Sequence, residues 1–261
     1  MNILREIADR ARERVAEKKR TVPLTEIAAA ARLIKTGAAD DFPFERALRT
    51  DGMSFICEVK RASPSGGMFA REYPYAEIAA EYEAAGAAAV SVLTEPYYFL
   101  GRDEHLKEIA AAVKLPLLRK DFVVDEYMIY EAKILGANAV LLITALTDTV
   151  KLAGFVETAH GLGLSALVET RDESEIDAAL NAGARIIGVN NRDLTTFAVD
   201  TGRSARLRRR VPDSVLFVSE SGVKTARDVE ELRRCGVDAV LVGEALMRAP
   251  DKMSMLNSLR R

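Results

Sequence analysis

The sequence predicts an α/β protein: a closed (β/α)8 TIM barrel with an N-terminal helical extension. Three observations point there. From Met53 onward, apolar runs of strand length alternate with amphipathic stretches of helical period. Gly86, Gly136, Gly183 and Gly236 each end a helical stretch and lead into the next apolar run, as in Gly136-Ala-Asn-Ala-Val140, at spacings of 50, 47 and 53 residues. Each step holds two strand–helix units, so four steps make the eight that close a barrel. A doubly wound open sheet is the competing architecture, but it lacks such even recurrence, and no G-x-G-x-x-G follows any strand.

At 261 residues the chain has room for one such barrel, and a net charge of −2 gives no electrostatic case for nucleic acid or an anionic membrane surface. Cys57 and Cys235 are too few for a disulfide framework. The opening MNILREIADRARERVAEKK is a charged amphipathic pattern rather than a signal peptide, and no apolar run approaches the ~20 residues of a membrane span. The expectation is a soluble, cytoplasmic protein without nucleic-acid or membrane partners.

Taken in order, Ile3, Leu4, Ile7, Ala8, Ala11 and Val15 recur at helical spacing, so the first twenty residues form an amphipathic helix. Leu24 to Lys35 form a second, closed by Gly37. The segment from Asp40 to Glu45, two aromatics and a proline among acids, is a docking turn into a short helix. Residues 1–52 are thus an extension packed on a catalytic barrel domain, 53–261. Strands are expected at Phe55–Val59, Ala89–Leu93, Pro116–Arg119, Ala139–Thr144, Ser165–Glu169, Ile186–Asn190, Val215–Ser219 and Ala239–Gly243. Helices such as Asp125–Leu135, Thr147–His160 and Thr225–Cys235 lie between them, several opened by Asp or Thr caps.

Reactive residues of such barrels lie at the C-terminal strand ends. Glu58 and Lys60, two apart, share one face of the first strand, opposite Cys57 and Val59. Lys120 and Asp121 end the third strand, Glu169 the fifth, Asn190 and Arg192 the sixth, Glu220 and Ser221 the seventh. For any one of them a solvated charge at a strand exit is the simpler reading. Converging on one rim, where burial shifts pKa values, they read together as a site.

Glu220-Ser221-Gly222 and Gly243-Glu244-Ala245 put small residues and free N–H groups after strands seven and eight, with a short helix able to start at Ala245, where barrels commonly hold a phosphate. Glycines that merely permit tight turns are the plainer alternative. The run from Arg206 to Arg210 reads as a solvated helix face, and His105 and His160 fall in helices away from the rim. Two Cys and two His, widely scattered, make no zinc set. Glu58, Glu169 and Glu220 are a conceivable cation site, but Lys60 and Lys120 would lie beside the ion, so no metal is expected.

The stretches CEVKRASPSGG, VSVLTEPYYFLG, LLRKDFVVDEYMIYEAKILGA, LVET, IGVNNRDL, FVSESGV and VLVGEALMR, in this order across nearly the whole chain, resemble indole-3-glycerol-phosphate synthase of tryptophan biosynthesis. The resemblance implies a cofactor-free (β/α)8 lyase that converts 1-(2-carboxyphenylamino)-1-deoxyribulose 5-phosphate into indole-3-glycerol phosphate, CO2 and water. Carried over by motif, Lys120 is the general acid and Glu169 the base, while Glu58, Lys60, Asn190 and Glu220 complete the catalytic set. Ser63, Phe122, Arg192 and Ser221 are implied to bind substrate, and Lys60, Gly222, Gly243 and Glu244 its phosphate. The extension is a family trait too, and association with neighbouring tryptophan-pathway enzymes, or a monomer, fits the resemblance. One departure stands out: many members carry serine after the last strand's glycine, where this chain has Glu244-Ala245. A hydroxyl grip on the phosphate is then missing, and Glu244 is expected to turn its carboxylate away.

The chemistry suits these residues. Attack of an electron-rich aromatic carbon on a ketone needs a proton for the developing alkoxide, and a lysine whose pKa is lowered by a crowded cationic site delivers one. Loss of water then needs a donor, Lys60 or Lys120, and a base, Glu169. A Schiff-base aldolase would also place a lysine at a strand end, and a catalytically silent barrel serving as a binding module is the non-enzyme alternative.

Overall fold

A computed structural model of the chain describes residues 3–34, 41–193 and 196–261. Eight strands, β1 (Ser54–Val59), β2 (Ala89–Leu93), β3 (Leu117–Lys120), β4 (Ala139–Ile143), β5 (Ser165–Thr170), β6 (Ile186–Asn190), β7 (Leu216–Glu220) and β8 (Ala239–Val242), pair in parallel in chain order. β8 returns to β1 and closes the barrel. A two-residue ribbon, Ala62–Ser63 against Gly67–Met68, follows β1.

Strand parity builds two cores. In β4, Ala139, Leu141 and Ile143 point into the barrel beside Ile56, Leu118 and Leu167. Val140 and Leu142 point outward and join Phe55, Cys57 and Val59 under the helices. Both faces are covered, which is why the strands read as unbroken apolar runs. The outer layer is α4 (Tyr75–Ala84), α5 (Asp103–Ala112), α6 (Tyr127–Ile134), α7 (Thr149–Gly161), α8 (Glu173–Asn181), α9 (Gly202–Leu207), α10 (Ala226–Arg234) and α12 (Lys252–Leu259), with a short α11 (Glu244–Arg248) after β8. Gly86, Gly136, Gly183 and Gly236 have φ of 79°, 91°, 83° and 79°, the left-handed conformation that ends a helix cheaply only at glycine. The recurrence in the sequence is therefore a recurrence of helix ends.

Boundaries differ from the sequence reading by one or two residues, for local reasons. β3 begins after Pro116, which has no N–H for the ladder, and runs through Lys120. β8 stops before Gly243, which caps α11, so that helix begins at Glu244 rather than Ala245. α7 starts at Thr149 because Asp148 accepts from the Lys151 N–H, and α10 carries a full capping box between Thr225 and Asp228.

Three helices precede the barrel: α1 (Ile3–Thr21), α2 (Leu24–Leu33) and α3 (Pro43–Leu48). Lys35, Gly37 and Asp40 lie outside the described residues. α3 inserts Phe44 and Leu48 into the barrel interior at its N-terminal end, where the Ser54 hydroxyl donates to the Leu48 carbonyl and Arg185, just before β6, pairs with Glu45 at 2.8 Å. α1 runs along the opposite end and one side: Leu4 and Ile7 join the interior cluster, while Ala8, Ala11 and Val15 join the outer one.

The arginine run is only partly the solvated face expected. Arg206 and Arg210 pair with Asp200 and Asp177 in the open, but the helix tightens into a 3-10 turn at Arg208, whose guanidinium is tucked against the carbonyls of Val211 and Gly236. Among the described residues no helix is long and apolar enough to cross a membrane.

Candidate active site

A cavity of about 590 Å³ opens at the C-terminal ends of the strands. Every strand-end and substrate-site residue singled out from the sequence lines it: Glu58, Lys60, Ser63, Lys120, Asp121, Phe122, Glu169, Asn190, Arg192, Glu220, Ser221, Gly222, Gly243 and Glu244. His105 and His160 do not. Glu58 and Lys60 do share a face, with Lys60 Nζ donating to Glu58 Oε1 at 2.5 Å. Lys120 Nζ lies 3.5 Å from Glu220 Oε2, and Asn190 Nδ2 donates to Glu169 Oε2 at 3.3 Å.

Three buried carboxylates, Glu58, Glu169 and Glu220, face two ammonium groups, and this imbalance sets their charges. Burial pushes the Glu58 carboxyl up, but Lys60 and Lys120 outweigh it and hold its pKa below the usual value. Glu169 is raised, chiefly by burial, against the pull of Lys120 and the Asn190 amide. Glu220 carries the surplus: burial, then its two neighbouring carboxylates, push it up to about 8 against the pull of Lys120, and its Oε1 has no hydrogen-bond partner. Near neutrality Glu220 therefore keeps its proton and the cluster is balanced. Gly188 leaves the room for it, since a Cβ there would stand 2.3 Å from that Oε1.

Lys120 departs from the sequence expectation. Burial does favour its neutral amine, but Glu220, Glu58 and Glu169 overcome it and raise the pKa above the ordinary lysine value. The crowding at Lys120 is anionic, not cationic, because the carboxylates of β1, β5 and β7 all turn toward β3. The ammonium is thus kept charged across the neutral range.

The polar cluster faces an apolar wall of Leu93, Phe99, Phe122, Leu141 and Ile143, completed by Ile3, Leu4 and Ile7 of α1. The rings of Phe99 and Phe122 lie 5.9 Å apart. Of this wall the sequence reading named only Phe122. Inward parity could have supplied Leu141 and Ile143, but nothing in the sequence says that the first turn of α1 reaches the barrel mouth.

After β7, Ser221 and Gly222 are both left-handed, at φ of 67° and 97°. A serine there is uncommon. The buried Asn191 holds it, donating to the Ser221 carbonyl and the Ser219 hydroxyl while accepting from Ser204. Gly243 packs against the first strand, where a Cβ would meet Glu58 Oε1 at 2.5 Å and Lys60 Nζ at 3.1 Å. Glu244 is turned to Arg192 at 3.6 Å and to Arg248 at 3.1 Å. Ser63 uses its hydroxyl to accept from the Gly66 N–H, shaping the loop after β1. Lys224 and Arg248, neither of which was expected in the site from the sequence, add two cations to this end of the cavity. Among the described residues no group of three His, Cys, Asp or Glu is placed to hold a metal ion.

Residues 4–259 match the family model described as indole-3-glycerol phosphate synthase. The chain belongs to the indole-3-glycerol phosphate synthase family. It is 54% identical over 219 residues to the indole-3-glycerol phosphate synthase of Ruminiclostridium cellulolyticum, covering 84% of each chain. It is 46% identical to that of Lachnoclostridium phytofermentans, covering 99% of this chain and 98% of the other. A thiamine phosphate pyrophosphorylase from Pyrococcus furiosus superposes with a TM-score of 0.62 at 18% identity, covering 80% of this chain and 94% of that one, a likeness of fold alone. As a member of the indole-3-glycerol phosphate synthase family, the chain is a carboxy-lyase of tryptophan biosynthesis.

Proposed function

We propose that the cavity closes the indole ring of 1-(2-carboxyphenylamino)-1-deoxyribulose 5-phosphate with Lys120 as general acid and Glu169 as base. One observation carries the reading: Lys120, held as an ammonium among three carboxyl groups, faces an apolar wall at one end of a cavity whose other end gathers cations and backbone N–H groups. The aromatic ring lies against Phe99, Phe122, Leu141 and Ile143. The phosphate sits at the Ser221-Gly222 and Gly243-Glu244 turns within reach of Lys60 and Arg192. Holding both ends of a flexible chain brings the ring carbon to the ketone, a large share of the work in a reaction that joins two parts of one molecule.

As the carbon–carbon bond forms, the ketone oxygen takes a proton from the Lys120 ammonium, and the ring becomes an iminium-like cation. Loss of CO2 returns the bonding pair to the ring and neutralises it. Water then leaves, its hydroxyl protonated by the Lys60 ammonium, or by Lys120 once a proton from solvent has restored its charge, while Glu169 takes a proton from the new five-membered ring. The raised pKa of Glu169 suits a base that must also release its proton. Glu220, neutral near pH 7, adds no further negative charge where an anionic substrate must bind.

Two measurements test these roles together. Glu169→Gln should lower kcat by at least the ~10²-fold typical of losing a positioned acid–base group, and borohydride added during turnover should leave Lys120 unmodified. Near-parental turnover in folded Glu169→Gln would refute the base, and a reduced substrate adduct on Lys120 would replace the general acid by a Schiff base.

A further inference from the structure

The buried ion cluster on the outer face of β3 meets the cavity only at Asp121, and it is built on the residues that flank Lys120. Parity sends Lys120 inward and its neighbours Arg119 and Asp121 outward. Both are fully buried. Arg119 donates to Asp103 of α5 and Glu131 of α6, each at 2.7 Å, and to the Met128 carbonyl at 2.9 Å. Asp121 Oδ2 accepts from the Thr94 hydroxyl at 2.7 Å, one residue past β2, and its Oδ1 accepts from the Phe122 N–H at 2.8 Å. The remaining partners come from α1: Arg14 donates to Asp121 Oδ1 at 2.9 Å, and Lys18 pairs with both Asp103 and Glu131. Burial alone would raise the Asp121 carboxyl, but Arg14 and Arg119 hold it below the usual range, so it is an anion whose charge depends on α1.

The geometry points to Arg14 as a positioning residue for catalysis, acting through Asp121 on the strand exit that carries Lys120 and Phe122. This rests on the assignment of Lys120 as the acid. Asp121 fixes the Phe122 backbone directly, and through Thr94 it ties the exit of β3 to that of β2, whose Leu93 forms part of the apolar wall. Arg14 is the cation that enters this junction from outside the barrel. Without it a buried carboxylate loses its closest charge partner and the junction must shift to find another. Lys19, on the same helix, pairs instead with Asp125 at 2.8 Å and touches neither Asp121 nor the cavity.

Arg14→Met, Arg14→Lys, Lys19→Met and Lys120→Met, all in the full-length chain, separate the possibilities. Arg14→Met should lower kcat by roughly tenfold to 10²-fold, the scale of an ångström-sized misplacement, with a smaller change in KM. Arg14→Lys, which restores the charge, should recover part of that loss, and Lys19→Met should keep parental kcat. A folded Arg14→Met whose kcat is within about twofold of the parent overturns the inference, provided Lys120→Met is inactive. An active Lys120→Met overturns instead the assignment on which it rests. Should Arg14→Met not fold, Arg14→Met/Asp121→Asn removes both charges at once: a folded, slow double variant supports the positioning role, and parental kcat refutes it.

Discussion

At the scale of single residues, Gly243 shows how tightly the site is packed. It was singled out because a phosphate needs close approach to the backbone, but its surroundings add a second constraint: a side chain there would collide with the Glu58–Lys60 pair. Gly243→Val should therefore lower kcat as well as raise KM, because it disturbs Lys60 while blocking the proposed phosphate site, and kcat/KM should fall by at least about tenfold, the scale of a small misplacement. Steady-state kinetics check this, and a purely KM effect would mean that only the phosphate contact was lost. Glu58, Lys60, Lys120, Glu169, Asn190 and Glu220 were legible in the sequence because strand parity and strand ends place them. The charge state of Lys120 was not. It depends on carboxylates from three other strands, and only the closed barrel brings them together.

At the scale of elements, helix ends were legible wherever a capping residue or a left-handed glycine marked them, as at Thr225 and Gly136. The orientation of the extension was not, because helical period says which face of α1 is apolar but not which end of the barrel it covers. α3 and α7 meet at the opposite end, where the His160 ring lies edge-on to Phe42 at 5.7 Å and Arg185 covers Phe42 at 3.7 Å. Burial, helped by Arg185, pushes the His160 pKa down to about 4. An unfolded histidine titrates near ~6.5, so between these values the unfolded chain takes up a proton that the folded chain refuses. The contribution is thus intact above about pH 6.5 and is lost as pH falls through the window toward 4. His160→Gln should lose less melting temperature than the parent between pH 7 and about pH 4.5, and equal losses would show that His160 does not set the acid sensitivity of this end.

At the scale of the whole molecule, the barrel was legible because eight repeated units leave a periodic trace of helix-ending glycines, whereas the surroundings of the site belong to no single unit. The apolar wall draws on β2, β4, the loops after β2 and β3, and α1, and the ion cluster behind Lys120 draws on α1, α5 and α6. The proposed chemistry nevertheless converges on one atom, the ammonium nitrogen of Lys120, as the source of the proton for ring closure. Turnover of Lys120→Met, followed as formation of indole-3-glycerol phosphate, tests that directly, since methionine keeps the aliphatic length and removes the ammonium group with its proton. A variant with parental circular dichroism and kcat lowered by at least ~10²-fold is the expected result, and near-parental turnover by the same folded variant would contradict it.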